Sequence, residues 1–265
     1  MKNQICTILG GGGFIGRYLV RNLTKKNYRC IISTRNAFQK GYLKTQATPG
    51  SIELIDWNSN NFDKLEESIN NSDVVINLIG ILYENRKQKF MKIHRDIPEA
   101  VAKICAQSDV KKFIQVSAIG ANENSKSLYQ RSKFQGEVKA LTNFKNTVII
   151  RPSVVCGTED NFTNLFSKLS FLPIIPLVRI DYKFQPILVT DVVNAITREV
   201  FSNGERSVWV NAASIVSPGG AWTKHVMREN GELLEVRTDD GTHYQSSGAR
   251  LITDAVVAAV ALKTG

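Results

Sequence analysis

Residues 4–26 read QICTILGGGGFIGRYLVRNLTKK, and this stretch decides the fold. A short apolar run ends in glycines, after which helical spacing continues through Phe14, Ile15, Tyr18, Leu19 and Leu23. Gly10, Gly13 and Gly16 fall three apart, directly after the predicted strand and at the opening of the predicted helix. Glycine is required where a chain turns tightly and where backbone must approach a pyrophosphate with no side chain between. The helix N-terminus then turns its N–H groups and the positive end of its dipole toward the phosphates. A glycine triplet alone marks only a tight turn; in this strand-turn-helix setting it predicts a dinucleotide site.

The alternation continues outward. YRCIISTR (28–35), SIELID (51–56), DVVINLIG (73–80), KKFIQVSAIG (111–120) and NTVIIRPS (146–153) read as further strands. Helical patterns lie between most of them, clearest over 95–107 through Ile97, Val101, Ile104 and Cys105, and over 128–141. Short continuous apolar strands alternating with helices predict a parallel sheet covered on both faces. The fold class is α/β, a doubly wound Rossmann sheet.

Composition narrows the function classes. The 265 residues are 43% apolar and 22% charged, as in an ordinary soluble domain. No apolar run reaches membrane-spanning length, and glycines interrupt the N-terminal apolar stretch, so no signal peptide is expected. Cys6, Cys30, Cys105 and Cys156 are scattered singly, which predicts buried free thiols and no metal site. The net charge is +10, yet basic residues are spread along the chain without an aromatic-plus-basic cluster. Nucleic acid is therefore not expected as a partner. A solvated basic surface is the first reading and docking to an anionic membrane surface the second.

The chain changes character near residue 204. Residues 1–204 hold 28 Lys+Arg against 17 Asp+Glu, with 23 Ile and 19 Asn. Residues 205–265 hold 6 against 7, with two Ile, two Asn and eight Ala. Such a break predicts a nucleotide-binding domain over 1–204 and a tail of different origin over 205–265.

Within the first part, the end of the second strand decides the nucleotide. An acid there binds a ribose 2′-hydroxyl and a base suits a 2′-phosphate. Here the strand ends in Arg35 with no acid beside it, and Arg17 opens the first helix. This favours NADP(H), with NAD(H) as the alternative; the plain alternative for Arg35 is a solvated loop residue. Asp56, ending the third strand, is placed to accept from an adenine amino group. In SLYQRSKFQGE, Tyr129 and Lys133 are four apart and share one helix face. An adjacent ammonium stabilises a phenolate and moves its pKa toward the working range. Ser117, just past the fifth strand, is placed to bond a substrate carbonyl or hydroxyl. The plain alternative is a packed Tyr with a solvated Lys.

Taken together, ILGGGGFIGRYLV, INLIG, FIQVSAIGANENSKSLYQRSKFQGE, VIIRPSVVCGTEDNFTN and QPILVTDVVNAI resemble the short-chain dehydrogenase/reductase superfamily in its extended, epimerase/dehydratase-like branch. More narrowly, about residues 4–204 are similar to the family of NADPH-binding accessory subunits of respiratory complex I and their bacterial relatives. The resemblance implies a cofactor over Gly10, Gly13, Phe14, Ile15, Gly16 and Arg35, flanked by Leu78, Ile79 and Gly80, with Lys133 on the nicotinamide ribose. It also implies a nucleotide held structurally in complex I relatives, complex I subunits as partners, and a bacterial-type cytoplasmic location, peripheral at the inner membrane. After LVTDVVNAI the family continues with a Y-x-L-G-G-P-like segment, whereas this chain reads RSVWVNAASIVSPGGAW.

In the tail, VWVNAAS (208–214) and ELLEVRT (232–238) read as strands, and Ser246 or Ser247 as the cap of a helix through ARLITDAVVAAVAL. RTDDGTHYQSSGARLITDAVV resembles the last motif block of SGNH/GDSL hydrolases, with Asp240 orienting His243. The plain alternative is turn chemistry at Asp-Gly. The upstream Gly-Asp-Ser nucleophile block is missing, so esterase activity is not expected. Two readings lead: an NADP(H)-binding structural or assembly subunit at complex I, and an active reductase, epimerase or dehydratase using Ser117, Tyr129 and Lys133.

Overall fold

A computed structural model of the chain describes residues 4–58, 61–169, 186–202, 225–227 and 233–235. The chain divides into two compact units, Met1–Gly204 and Glu205–Gly265.

The first unit is built on six parallel strands: β1 (Ile5–Leu9), β2 (Arg29–Thr34), β3 (Ile52–Asp56), β4 (Val74–Asn77), β5 (Lys112–Val116) and β6 (Thr147–Ile150). Their order is β3-β2-β1-β4-β5-β6, the doubly wound arrangement whose crossovers reverse direction beside β1. Successive residues of a strand face opposite sides. Cys6, Ile8, Val74, Ile76, Ile114 and Val116 therefore meet one helical layer, while Leu9, Val75 and Phe113 meet the other. The first layer is α1 (Phe14–Lys25) with α6 (Val189–Phe201), packed through Leu19, Val20, Leu23, Val192, Val193 and Ile196. The second comprises α2 (Phe62–Ile69), α3 (Ile97–Gln107) and α4 (Leu128–Asn143), through Leu65, Ile69, Val101, Ala102, Cys105 and Ala140. Each such fully buried aliphatic side chain contributes about 1.5–3 kcal/mol of transfer free energy. The α/β doubly wound fold is as the sequence predicts.

Helix ends are closed by named groups. Asn61 accepts from Lys64 N at 3.1 Å at the start of α2. The Lys112 ammonium donates to the carbonyls of Glu199 and Ser202 at the C-terminus of α6, at 2.5 and 2.8 Å. There it satisfies unpaired acceptors at the negative end of the helix dipole. Asp160 accepts from Gly157 N and Thr163 N ahead of α5 (Asn161–Leu169).

One element departs from its predicted shape for a physical reason. The helix expected over 95–107 is preceded by a π turn at Lys92–Asp96, and α3 proper begins at Ile97. Pro98 has no N–H to give to the carbonyl of His94, so the normal i→i−4 bond cannot form there. Ile97 N bonds instead to Lys92 O, one residue further back, and the turn widens. The released His94 carbonyl is pressed against α4 at Gly136, where a Cβ would collide with its oxygen and lie 2.9 Å from its carbon.

A 3-10 helix, Ala37–Gln46, follows β2 and was not expected; Asn36 enters it at a left-handed φ of 53°. Two short strands, β7 (Val155–Cys156) and β8 (Ile187–Leu188), pair in parallel. In the second unit, β9 (His225–Met227) and β10 (Leu233–Glu235) pair antiparallel, with Leu233 opposite Met227. β10 overlaps the strand expected at 232–238, while the one expected at 208–214 lies outside the described residues. All four cysteines are free, and burial pushes the Cys30 and Cys105 thiols up to about 12. Among the described residues no helix is long and apolar enough to cross a membrane.

Candidate functional site

The glycine turn lies between the C-terminal end of β1 and α1. Gly10 has a φ of +76°, which L side chains rarely adopt, and a Cβ there would stand 3.2 Å from Ile79 Cγ1. Gly10 N donates to Ser33 O at 2.8 Å and Gly13 N to Gly10 O at 3.0 Å, which fixes the bend. Gly16 serves closeness: a Cβ would lie 2.5 Å from Gly11 Cα, so only glycine lets α1 start this near the turn. No side chain caps α1 at Gly13, and its first turn carries no acid. The positive end of the helix is thus left for an external anion.

A cleft of ≈ 640 Å³ opens at this edge of the sheet. It brings together seven of the predicted residues: Gly10, Gly13, Arg35, Asp56, Leu78, Ile79 and Gly80. Phe14 and Ile15 instead pack behind the turn against the core, and Gly16 is buried there. Arg17 points elsewhere, its guanidinium 3.6 Å from the Glu159 carboxylate. At the end of β2, Arg35 is exposed on the cleft wall. Asp56 Oδ1 accepts from Asn36 N at 3.2 Å, so that carboxylate holds the bend after β2. Lys40, which the sequence reading did not single out, lines the same wall, with its stem 3.2 Å from where a Gly12 Cβ would be.

At the other end, Lys133 is buried, and its ammonium makes one long hydrogen bond, 3.5 Å to Val116 O. A Cβ on Gly80 would be 3.2 Å from Lys133 Nζ, so the ammonium adjoins the cleft at Gly80. Burial pushes Lys133 down to about 8, against the upward pull of Glu137. Glu137 is itself held by Arg151, Nε to Oε1 at 2.9 Å. Tyr129, at the start of α4, stands edge-on to His94 with ring centroids 5.3 Å apart. Burial raises its phenol, where the sequence reading expected Lys133 to lower it. Ser117 donates its backbone N–H to Ile150 O at 2.7 Å, and its buried hydroxyl has no hydrogen-bond partner among the described residues.

Two polar groups missed by the sequence reading shape the loop at Leu78–Ile81. Asn77, buried at the end of β4, accepts from Ile79 N at 3.0 Å and donates to Gln115 Oε1 at 2.8 Å. His94 Nε2 accepts from Ile81 N at 3.1 Å. A backbone N–H can only donate, so Nε2 carries the lone pair and the ring proton sits on Nδ1. Nδ1 faces Ser132 Oγ at 2.9 Å, and Ser132 donates onward to the Tyr129 carbonyl at 2.8 Å. Burial first, and the Lys133 charge second, push His94 down to about 3. The one signal in the sequence was a histidine within a helical pattern, hidden between Lys92 and Arg95.

Among the described residues no group of three His, Cys, Asp or Glu side chains is placed to hold a metal ion. Asp240, His243, Ser246 and Ser247 lie outside the described residues.

Comparison with known proteins gives two family matches. The model of the NAD dependent epimerase/dehydratase family matches residues 6–173. A second, described as a protein of unknown function, matches residues 189–259. Subunit 9 of the mitochondrial NADH dehydrogenase [ubiquinone] 1 alpha subcomplex from Mus musculus is 34% identical over 199 residues, 74% of this chain and 53% of its own length. The mitochondrial 40 kDa subunit of NADH-ubiquinone oxidoreductase from Neurospora crassa is 31% identical over 207 residues, covering 78% and 55%. The chain thus spans about half the length of these curated relatives. Among solved structures, UDP-glucuronic acid 4-epimerase from Bacillus cereus, in complex with UDP-glucuronic acid and NAD, superposes with a TM-score of 0.63. It is 19% identical and covers 76% of this chain and 74% of its own, a likeness of fold.

Proposed function

The chain belongs to the NAD dependent epimerase/dehydratase family, and we propose that it binds NADP(H) in the cleft as a nucleotide-holding accessory subunit of a complex I-type assembly in a bacterial-type cytoplasm. The observation that carries the nucleotide preference is the wall after β2. Arg35 and Lys40 both line it, while the carboxylate of Asp56 is engaged by Asn36 N. Two cations against one acid, Asp56, whose Oδ1 is turned to Asn36 N, suit a 2′-phosphate. The pyrophosphate is held by the Gly10–Gly13 turn and the uncapped start of α1, the ribose beside Gly80 by Lys133. When bound, the nucleotide supplies hydride exchange at its nicotinamide.

The accessory role rests on the complex I relatives. A second reading, an active reductase, epimerase or dehydratase, draws on Ser117. Its buried hydroxyl has no hydrogen-bond partner among the described residues and is available to a carbonyl oxygen. Turnover of a carbonyl substrate by the purified protein with NADPH separates the two.

Mass spectrometry of nucleotide released from the purified chain tests the first reading, with NADP(H) expected. Replacing Arg35→Asp and Lys40→Ser together should weaken NADPH at least about tenfold relative to NADH, from a Coulomb attraction of about 1 kcal/mol per exposed charge at 4 Å. Release of NAD(H) alone, or an unchanged ratio, overturns the preference.

A further inference from the structure

We propose that the rim of the cleft is a docking surface for an anionic phospholipid bilayer, carried by the loop after β4 with Phe38 across the cleft. This goes beyond the nucleotide reading and does not depend on it.

Large apolar side chains at the surface are ordinary when scattered. Here the three most exposed large apolar side chains among the described residues are Phe38 at 97%, Leu82 at 78% and Tyr83 at 76%. All three sit on connections leaving the C-terminal edge of the parallel sheet, Phe38 after β2 and the pair after β4. They flank the cleft from two sides, because Gln39 and Lys40 line one wall while Ile81 and Gln88 line the other. The loop holding Leu82 and Tyr83 is a built turn. Asn85 Oδ1 accepts from Lys87 N and Gln88 N at 2.9 and 2.8 Å, and Asn85 N donates to Gln88 O at 3.0 Å. Its return is anchored by Glu84 Oε1, which accepts from Phe90 N at 2.8 Å, and by Phe90 itself, stacked on His94 at 5.4 Å. The two apolar side chains are thus presented outward by a braced turn.

Charge selects the occupant. Residues 82–92 hold Arg86, Lys87, Lys89 and Lys92 against one acid, Glu84, and Lys89 is 3.7 Å from it. Arg86 and Lys87 are exposed next to Leu82 and Tyr83. Aromatic and aliphatic tips with basic neighbours match the interface of an anionic leaflet, where the tips enter the headgroup boundary and the cations meet lipid phosphates.

The test is co-sedimentation of the full chain with vesicles of phosphatidylglycerol and phosphatidylcholine, against phosphatidylcholine alone. Three variants are compared: Phe38→Ser with Leu82→Ser and Tyr83→Ser; Arg86→Glu with Lys87→Glu; and, as an equal charge change near the opposite edge of the sheet, Arg21→Glu with Lys145→Glu. Binding to the anionic vesicles only is expected. The first two variants should lower the partition coefficient about tenfold or more, from the attraction of each surface cation and the burial of each apolar tip. The third should lower it at most about threefold, and NADPH affinity should be the same in all. No binding to anionic vesicles, no loss in the rim variants, or an equal loss in the Arg21/Lys145 variant overturns the proposal. Loss of NADPH binding in the unaltered chain would overturn the nucleotide reading instead.

Discussion

His94 makes the stability of this protein depend on pH in a calculable window. The imidazole is buried and stands near the Lys133 ammonium, and burial first, with that charge second, pushes it down to about 3. In the unfolded chain it titrates near the ordinary value of about 6.5. A folded pKa below the unfolded one means that the unfolded state binds the extra proton between about 3 and 6.5. Stability from this group is therefore complete above pH 6.5 and is lost as pH falls, at about 1.4 kcal/mol per pH unit. At pH 5 the loss is about 2 kcal/mol, a sizeable share of the 5–15 kcal/mol of a typical domain.

The assay is urea unfolding followed by far-UV circular dichroism at pH 7.5, 6.5, 5.5 and 5.0, for the wild-type chain and for His94→Gln. Glutamine offers an oxygen to the Ile81 N–H and carries no charge anywhere in the range. Carboxylates titrate mostly below this window, and Lys133 above it, so both contribute equally to the two curves. The stability difference between wild type and variant should shrink by about 2 kcal/mol from pH 7.5 to 5.0. Parallel curves would refute the argument, because they would mean that His94 is protonated in the native state without penalty.

Lys133 gives the companion result at alkaline pH. Its folded value of about 8 lies below the ordinary 10.5, so at neutral pH the fold carries a desolvated ammonium. Lys133→Met should raise stability at pH 7 by about 2 kcal/mol while weakening NADPH, and wild type alone should gain stability between pH 8 and 10.5; a less stable variant in thermal unfolding would contradict this. Gly136→Ala drives a methyl into the His94 carbonyl and should lower stability by about 3 kcal/mol, with an unchanged Tm refuting that contact.

The sequence made the sheet legible because its strands are buried on both faces and so read as continuous apolar runs between helical periods. The glycine turn was legible for a related reason: Gly10 and Gly16 are fixed by backbone geometry that leaves no choice of residue. What could not be read were groups whose role is set across the fold. His94 lies between Lys92 and Arg95 and reads as part of a solvated face. It becomes buried because Pro98 four residues on widens the turn and Gly136 on α4 receives the displaced carbonyl. Asn77 reads as an ordinary strand end until Gln115, on the neighbouring strand, turns it toward Ile79 N. The spacing of Tyr129 and Lys133 was legible, but the sign of their electrostatics was not. Desolvation acts on both groups, raising the phenol and lowering the ammonium, and outweighs the attraction that one helix turn implies.

The same desolvation supports a ligand site on grounds independent of family. Folded interiors pair nearly all of their buried polar atoms, and the exceptions call for a reason. Four buried side-chain atoms among the described residues lack a hydrogen-bond partner, and two of them, Ser33 Oγ and Ser117 Oγ, stand at the C-terminal ends of β2 and β5. Lys133 adds an ammonium with one 3.5 Å bond, Gly10 a left-handed turn, and α1 an N-terminus with no side-chain cap. Each is a deficit that an apolar or capped substitute would remove, and all five lie along one edge of the sheet. A ligand carrying hydroxyls and phosphates supplies acceptors for the helix end and Lys133, and partners for the two serines. Giving up stability at these five points fits the proposed nucleotide site, because each is a gap that hydroxyls or phosphates of a bound nucleotide would fill. The other two unpartnered atoms, Arg17 Nε and Thr197 Oγ1, do not belong to the cleft lining.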